Sequence, residues 1–296
     1  MKLVTFRRDA LSPEEIGVLK GDKVLPVAEA GLEYETMNDL ILNMKASEKG
    51  FLEKADKSGT KGLPLSELTL CAPIPHPLQD VLCLGMNYKE HAEEAAKYSD
   101  EAFRQERPEA VFFSKRVSCS QGDGAPIPAH SDLTERLDFE NELGVIIGRD
   151  ACNVSEEEAY RYIFGYTIIN DVSARDLQTR HKQWYFGKSL DGFTPMGPCI
   201  VTADEIDFPP ALAIRTTLNG QLRQNSNTSL LIHPIAEIIS ELSKGMTLKA
   251  GTIIATGTPK GVLMGMDEPV FLKPGDVIAC TIEGIGTLTN YVKEER

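Results

Sequence analysis

Apolar and polar residues alternate in short runs along most of the chain, which is typical of a protein built mainly from β-strands. Apolar segments such as "KLVTFR", "DVLCLG" and "YTIIN" are separated by turn-forming stretches, among them "LNGQ", "KPGD" and "EGIG". Helical spacing is less common, and it predicts helices over residues 37–54, 88–105, 155–162, 173–184 and 232–243. The pattern as a whole predicts a mixed, β-rich α+β fold.

Prolines divide the chain near its first quarter. The segment "CAPIPHPLQD", residues 71–80, contains three of them and is predicted to be a linker. It separates a small N-terminal α+β accessory domain, residues 1–70, from a larger β-rich domain, residues 81–296. We find no internal repeat and no low-complexity segment.

Composition and charge narrow the classes of partner and compartment. The chain has 296 residues, 42% of them hydrophobic, and a net charge of −13 without a cluster of Lys or Arg, so nucleic acid and anionic membranes are poor partners. No apolar run approaches the roughly 20 residues that cross a bilayer, and none near the N-terminus is typical of a secretory signal. Six scattered cysteines without a C-x-x-C pair indicate reduced thiols, and we expect a cytoplasmic protein.

Two carboxylates stand close together in "LDFENELGVIIGR", residues 137–149. Glu140 and Glu142 are two residues apart at the start of an apolar run, so on a strand they share one face and repel each other. Asp171 follows another apolar run, "GYTIIN", at the end of a predicted strand. Three carboxylates at strand ends form a hard oxygen site that suits Mg²⁺. The alternative is an exposed strand face, with Asp171 capping the helix that follows.

Other segments carry further side chains of the kinds that act in catalysis or ligand binding: His91, Glu94, Arg175, Gln178, Lys188 and Thr258. His91 and Glu94 are three residues apart, hence on one face of a helix. That helix has few large apolar side chains, so we predict that residues 88–107 form a mobile lid. For Thr258 the alternative is a simple turn between strands, and for the other segments it is an ordinary solvated helix or loop surface.

Six motifs, in order along the chain, resemble the fumarylacetoacetate hydrolase family: "GMNYKEHAEE", "DFENELGVIIGR", "GYTIINDVSARDLQ", "GKSLDGFTPMGP", "MTLKAGTIIATGTPKGV" and "LKPGDVIACTIEGIGTLTN". The similarity covers nearly all of residues 80–294. It implies a β-roll catalytic domain that pairs into a homodimer, preceded by an accessory domain.

The resemblance also implies roles for the candidate residues. A Mg²⁺ or Mn²⁺ ion would be held by Glu140, Glu142 and Asp171. His91 and Glu94 would activate water, and Lys188 would stabilise an oxyanion. The residues that would contact the substrate are Arg175, Gln178 and Thr258.

The reaction that the resemblance implies is hydrolysis of a C–C bond in a 1,3-diketone acid, such as an acylpyruvate, fumarylpyruvate or fumarylacetoacetate. A cation that chelates two substrate oxygens would let the leaving fragment depart as an enolate. The same site would serve decarboxylation of an oxaloacetate-like acid or tautomerisation of a 2-oxo acid. His91 and Glu94 favour hydrolysis, because only hydrolysis requires an activated water. A non-catalytic, metal-dependent binding protein is a further alternative.

The chain departs from the family at Met86, where some members that act on small oxo-diacids carry Arg. The loss of a positive charge there indicates a less acidic or bulkier substrate. Arg116 either restores that charge or faces solvent.

Overall fold

The computed structural model describes residues 1–57, 62–95 and 109–294. The strands are β1 Lys2–Arg7, β2 Glu15–Lys20, β3 Lys23–Pro26, β4 Leu63–Pro64, β5 Thr69–Leu70, β6 Val81–Gly85, β7 Val111–Lys115, β8 Pro126–Pro128, β9 Leu137–Asp138, β10 Asn141–Ile147, β11 Ile163–Asn170, β12 Ser173–Ala174, β13 Met196–Thr202, β14 Ala213–Leu218, β15 Gln221–Asn227, β16 Ile253–Ala255, β17 Val277–Ile282 and β18 Gly286–Lys293. The α-helices are α1 Met37–Asn43, α2 Ala46–Lys57, α3 Lys89–Ala95, α4 Arg175–Arg180, α5 Tyr185–Lys188 and α6 Ile235–Ser243.

Two large sheets contain most of the strands. The first has 11 strands, in the order β4-β3-β2-β1-β13-β11-β10-β16-β6-β7, with β5 paired to β1. The second has five strands, in the order β15-β14-β17-β18-β8, and β9 and β12 form a separate pair. The predicted β-rich α+β fold is confirmed.

The central strands of the large sheet are buried on both faces, which explains why they are almost continuously apolar. Alternate residues of β10 point to opposite faces. Leu143, Val145 and Ile147 pack into a core shared with the five-stranded sheet. Ile146 instead joins Ile169 of β11 in a second core that includes residues of α1. The strands that carry the acidic residues are therefore held from both sides.

The N-terminal strands continue the large sheet. Strand β1 pairs with β13 through Lys2 and Val201, which lie almost 200 positions apart in sequence. Within residues 71–80, Ala72 and Ile74 are buried against the second core. The division into residues 1–70, 71–80 and 81–296 stays a prediction.

The helices depart from the predicted lengths in several places. The predicted helix 37–54 is two helices, because the chain is extended at Met44. The prediction of a helix over 173–184 was wrong at both ends. Ser173 and Ala174 pair with β9, and helix α4 ends at Arg180. Residues 155–162 form a 3-10 helix, Glu156–Tyr162. Residues 96–105 of the predicted helix 88–105 lie outside the described residues.

All six cysteines are free thiols. Cys199 and Cys280 are buried, and burial raises their pKa values to about 11 and about 12. Within the described ranges, no helix is long and apolar enough to span a membrane.

Candidate active site and metal centre

Pairing of β10 with β11 brings three carboxylates together. The register joins Asn141 to Asn170, so Glu140 and Glu142 at the start of β10 lie beside Asp171, which directly follows β11. The Asp171 N–H donates to the Glu140 carbonyl at 2.8 Å. One oxygen from each of the three carboxylates lies within 4.8 Å of the others, and all three side chains are buried. We call Glu140, Glu142 and Asp171 the carboxylate cluster.

Each carboxylate of the cluster also has one oxygen fixed by a donor from another segment. The contacts are Arg175 Nη1 to Glu140 Oε1 at 2.6 Å, the Gly257 N–H to Glu142 Oε2 at 2.8 Å, and Lys115 Nζ to Asp171 Oδ1 at 2.5 Å. The second oxygen of each carboxylate is not used by that donor. One oxygen of each residue thus lies within reach of the other two, as a shared cation requires.

Lys188, the last residue of α5, connects two of those remaining oxygens. Its Nζ lies 2.6 Å from Glu140 Oε2 and 2.7 Å from Asp171 Oδ2, and 5.3 Å from the centroid of the Phe113 ring. An ammonium group has three hydrogens. Two of them serve these carboxylates, so the third is left for an oxygen in the adjacent cavity.

The charges of the site do not balance. Four buried carboxylates, those of the cluster and Asp138, meet three buried cations, Lys115, Arg175 and Lys188. Although burial opposes ionisation of Glu140, Lys188 and Arg175 hold its pKa well below the usual range. Burial raises the pKa of Glu142, and the charges of Asp171 and Glu140 raise it further.

A divalent cation would supply what the site lacks. Glu142 accepts a hydrogen bond from the Gly257 N–H but has no cationic partner within the described part of the chain. The ligand set consists of carboxylate oxygens, which Mg²⁺ and Mn²⁺ prefer. The residues therefore fit such an ion, with Glu140, Glu142 and Asp171 as the residues that would hold it.

A small cavity adjoins the carboxylate cluster, and Glu140 and Glu142 form part of its wall. Its polar lining consists of His91, Glu140, Glu142, Arg175, Gln178, Lys188 and Thr258. Its apolar lining consists of Leu84, Gly85, Met86, Phe113, Trp184 and Met264. A Cβ atom at Gly85 would lie 2.1 Å from the Trp184 ring, so glycine there is what lets the indole form the wall.

His91 and Glu94 contact each other on helix α3, with His91 in the cavity lining, and we call them the His–Glu pair. His91 is buried, with Nδ1 3.5 Å from Glu94 Oε2. Glu94 in turn accepts a hydrogen bond from the Gly261 N–H at 3.1 Å. Residues 96–107 of the predicted lid lie outside the described residues, so the lid stays a prediction.

The predicted substrate contacts Arg175 and Gln178 line the cavity but already have protein partners. Arg175 Nε donates to Asp138 at 2.9 Å, and its Nη1 contacts both Glu140 and the Gln178 Oε1 at 3.1 Å. Their contribution to the cavity is thus a fixed guanidinium and an oriented amide. Contact with substrate stays a prediction for both.

Thr258 also lines the cavity, in the turn after β16. Its hydroxyl donates to the Asn141 carbonyl at 2.9 Å and accepts from Gln224 Nε2 at 2.7 Å. These bonds tie the turn to the start of β10. Thr258 therefore holds the site together, and its role as a substrate contact stays a prediction.

Sequence reasoning missed two residues of the site. Asp138 accepts hydrogen bonds from Arg175 and from the N–H groups of Leu263 and Met264 at 2.9 and 3.0 Å. Its spacing, two residues before Glu140, was a usable signal. The sequence gives no such signal for Lys115, because a lysine at the end of an apolar strand usually faces solvent.

The structure places the two residues at which the family pattern differs. Arg116 is exposed and pairs with Asp80 at 2.9 Å, so it faces solvent and is not part of the cavity lining. Met86 lies in the cavity wall.

The comparisons with known proteins agree with this architecture. The family described as "Fumarylacetoacetate (FAA) hydrolase C-terminal" matches residues 80–293. The chain belongs to the fumarylacetoacetate hydrolase family, as the motifs predicted.

Individual relatives carry different activities in their names. The chain is 47% identical over 237 residues to "Oxaloacetate tautomerase YisK" of Bacillus subtilis (strain 168), covering 80% of this chain and 77% of that protein. It is 40% identical to the fumarylacetoacetate hydrolase of psychrophilic Exiguobacterium antarcticum, with a TM-score of 0.84 and 100% of both chains covered. It is 29% identical to a maleylpyruvate hydrolase of Sphingobium sp. SYK-6, solved with manganese(II) and pyruvate, with a TM-score of 0.78 over 100% of both chains.

Proposed function

We propose that this protein is a tautomerase that depends on Mg²⁺ or Mn²⁺ and interconverts the keto and enol forms of an oxaloacetate-like 2-oxo acid. The observation that carries the proposal is the buried carboxylate cluster, of which Glu140 and Glu142 line one cavity together with Lys188 and His91. The name of the tautomerase relative supports the choice of substrate.

Keto–enol conversion moves one proton from C3 of the acid and places one on the carbonyl oxygen. A divalent cation bound at the carboxylate cluster would polarise the carbonyl and make the C3 proton more acidic. Lys188 directs its third hydrogen to the oxygen as negative charge develops there. His91 takes the C3 proton as a general base and releases it to solvent, and the oxygen takes one proton from solvent to give the enol; in the reverse direction the enol oxygen loses its proton to solvent and His91 delivers one to C3.

The apolar wall supports these steps by excluding water. Phe113, Trp184 and Met264 lower the local polarity, which strengthens the interaction between Lys188 and a developing oxyanion. Arg175 stays locked between Asp138 and Glu140, so it keeps Glu140 ionised and oriented. The site is thus arranged before substrate arrives.

The experiment follows the absorbance of enolic oxaloacetate as it converts to the keto form, with Mg²⁺ or Mn²⁺ and again after EDTA. We expect conversion well above the rate of buffer with the same ion, lost with EDTA and restored by adding the ion back. A rate equal to that of buffer with metal alone would refute tautomerase activity.

Hydrolysis of an acylpyruvate is the second candidate, and the His–Glu pair favours it. With Nδ1 toward Glu94, His91 is placed to deprotonate a water. The maleylpyruvate hydrolase relative supports this reading. Loss of acylpyruvate absorbance with pyruvate as a product would establish hydrolysis, and an unchanged substrate would exclude it.

We also propose a homodimer, on the basis of the family resemblance. Sedimentation velocity at several protein concentrations is the direct measurement. A species of the monomer mass, 32.5 kDa, at all concentrations would refute the dimer.

A further inference from the structure

Lys115 is a buried cation that no step of the proposed reaction uses. It is the last residue of β7, the edge strand of the large sheet, and it is 0% exposed. Its neighbour Arg116 is exposed. A lysine on an edge strand ordinarily reaches into solvent. Full burial of this ammonium requires a specific reason, because desolvating a charge is costly.

Two short contacts compensate that cost. Lys115 Nζ lies 2.5 Å from Asp171 Oδ1 and 2.6 Å from the Phe193 carbonyl. Phe193 is itself fixed, with its N–H bonded to the Leu190 carbonyl and its ring in edge contact with His130. The ammonium is therefore anchored at one end by rigid backbone and holds the carboxylate at the other.

This anchoring decides which oxygen of Asp171 reaches the rest of the cluster. With Oδ1 held by Lys115, Oδ2 is the oxygen that bonds Lys188, which also bonds Glu140 Oε2. In the same way, Arg175 holds one oxygen of Glu140, and the Gly257 N–H holds one oxygen of Glu142. Two of the three donors are side chains, Lys115 and Arg175. Arg175 lines the cavity and Lys115 does not.

We infer that Lys115 is a positioning residue for the cation, which turns Asp171 so that Oδ2 is presented as a metal ligand. The inference rests on the metal site of the proposed function. Residues that orient metal ligands typically contribute 10–100-fold to metal affinity. Lys115 contributes to metal affinity in spite of its charge, since a positive group beside a cation by itself repels it.

Positioning of Asp171 and repulsion by the Lys115 charge have opposite effects on metal affinity. The direction in which Mn²⁺ affinity changes therefore distinguishes them. Lys115→Met keeps the length of the side chain and removes the charge and both hydrogen bonds. If Lys115 positions Asp171, the variant binds Mn²⁺ about 10–100-fold more weakly. If Lys115 acts only through its charge, the variant binds Mn²⁺ more tightly. The measurement counts free Mn²⁺ by electron paramagnetic resonance during a titration without substrate.

A second variant separates charge from geometry. Lys115→Arg keeps the charge, but the longer, planar group cannot place one nitrogen between Asp171 and Phe193 as Nζ does. Positioning predicts weaker Mn²⁺ binding here too, whereas a role of charge alone, including protection of the sheet edge, predicts unchanged binding. Arg116→Gln is the matched control at the neighbouring exposed position, and its affinity should equal that of the parent.

The outcomes are distinguishable from those of the tautomerase assay, because Mn²⁺ binding is measured without substrate. A parent protein that binds Mn²⁺ but does not convert enol leaves the inference standing and refutes the proposed function. A parent that does not bind Mn²⁺ overturns the inference. So do folded variants with parental or tighter affinity, and so does failure of both variants to fold, which would assign Lys115 to stability alone.

Discussion

The carboxylate cluster and the His–Glu pair both contribute to one cavity, through Glu140 and Glu142 and through His91, but they are held in place by different means. The cluster lies on two paired central strands, and its most exposed member, Glu140, is 6% exposed. The pair lies on the short helix α3, which is fastened to the turn after β16 by Glu94 on the Gly261 N–H and by an exposed ion pair between Glu90 and Lys260 at 2.8 Å.

The difference determines how each region responds to change. In the cluster, the backbone positions follow from sheet register and cannot shift without breaking the core, so substitutions of its three members act through charge and ligand chemistry. The position of the His–Glu pair depends on a few contacts, so substitutions around it act by moving the two side chains. Variants in the two regions should therefore separate metal affinity from proton transfer.

The largest effect should follow Glu142→Gln. The amide retains an acceptor for the Gly257 N–H but is a poor ligand, so we expect Mg²⁺ affinity to fall by more than about 100-fold and turnover to approach that of buffer with metal. Calorimetry measures the affinity, and the enol assay measures the turnover. Unchanged Mg²⁺ affinity would remove Glu142 from the ligand set.

The same variant should stabilise the protein in EDTA, because it removes an uncompensated buried charge. Burial and the neighbouring carboxylates raise the pKa of Glu142 in the folded protein above its usual value of 4.5. The free energy that protonated Glu142 adds to the stability of the fold is therefore fully present below about pH 4.5, and it is lost as the pH rises through the raised pKa. The melting temperature of Glu142→Gln minus that of the parent should therefore increase with pH. An increase of 1 kcal/mol corresponds to about 2–4 °C in a chain of this order of size. A difference that is flat with pH would contradict the assignment.

His91→Asn should sharpen the contrast, because it removes the general base and leaves the cluster intact. Loss of a general base typically lowers the rate about 10²–10⁴-fold. We expect that loss in kcat for enol conversion, with Mn²⁺ affinity equal to that of the parent. A parental kcat would move the proton-transfer role to another residue.

Gly265→Ala should displace the pair without substituting either member. A Cβ at Gly265 would lie 2.0 Å from the Glu94 carboxylate carbon, and its backbone conformation is otherwise open to alanine. Glu94 must therefore move, and a misplacement near 1 Å can lower kcat by about 10²-fold. We expect lower kcat with unchanged Mn²⁺ affinity.

The matched control is Gly50→Ala in helix α2, where nothing lies within 4 Å of the added Cβ. It should leave kcat unchanged and slightly raise the melting temperature. Equal kcat in both variants would show that Glu94 tolerates displacement.

Lys260→Gln should have the smallest effect. The side chains of Lys260 and Glu90 are 56% and 60% exposed, so solvent and salt screen their attraction. We expect kcat to change by less than about threefold. A larger loss that added salt reproduces in the parent would show that this ion pair, rather than Glu94, holds α3.

Local patterns were enough to predict much of the fold and the centre of the site. The alternation along β10 and β11 predicted strands, and the two-residue spacing of Glu140 and Glu142 placed both carboxylates on one side of the chain. Family motifs indicated that Asp171 and Lys188 belong with them, and the structure brings all four together. The strands and the proximity of these residues were predictable because strand period and strand ends are properties of neighbouring residues.

Other features depended on how distant segments meet. Ser173 and Ala174 have helical neighbours in sequence but form a strand, because β9 offers them backbone partners. The N-terminal strands join the large sheet through β13, which no composition shift in residues 1–70 reveals.

The sequence by itself determined that the chain is β-rich and that acidic residues stand at the ends of buried strands. Only the tertiary structure decided which groups orient them. Lys115, Arg175 and Gly257 come from three separate segments, and each reaches the cluster because the tertiary fold brings its backbone there. Sheet order is a long-range property, paid for in chain entropy and selected by burial of both faces, so residue spacing along the chain does not encode it.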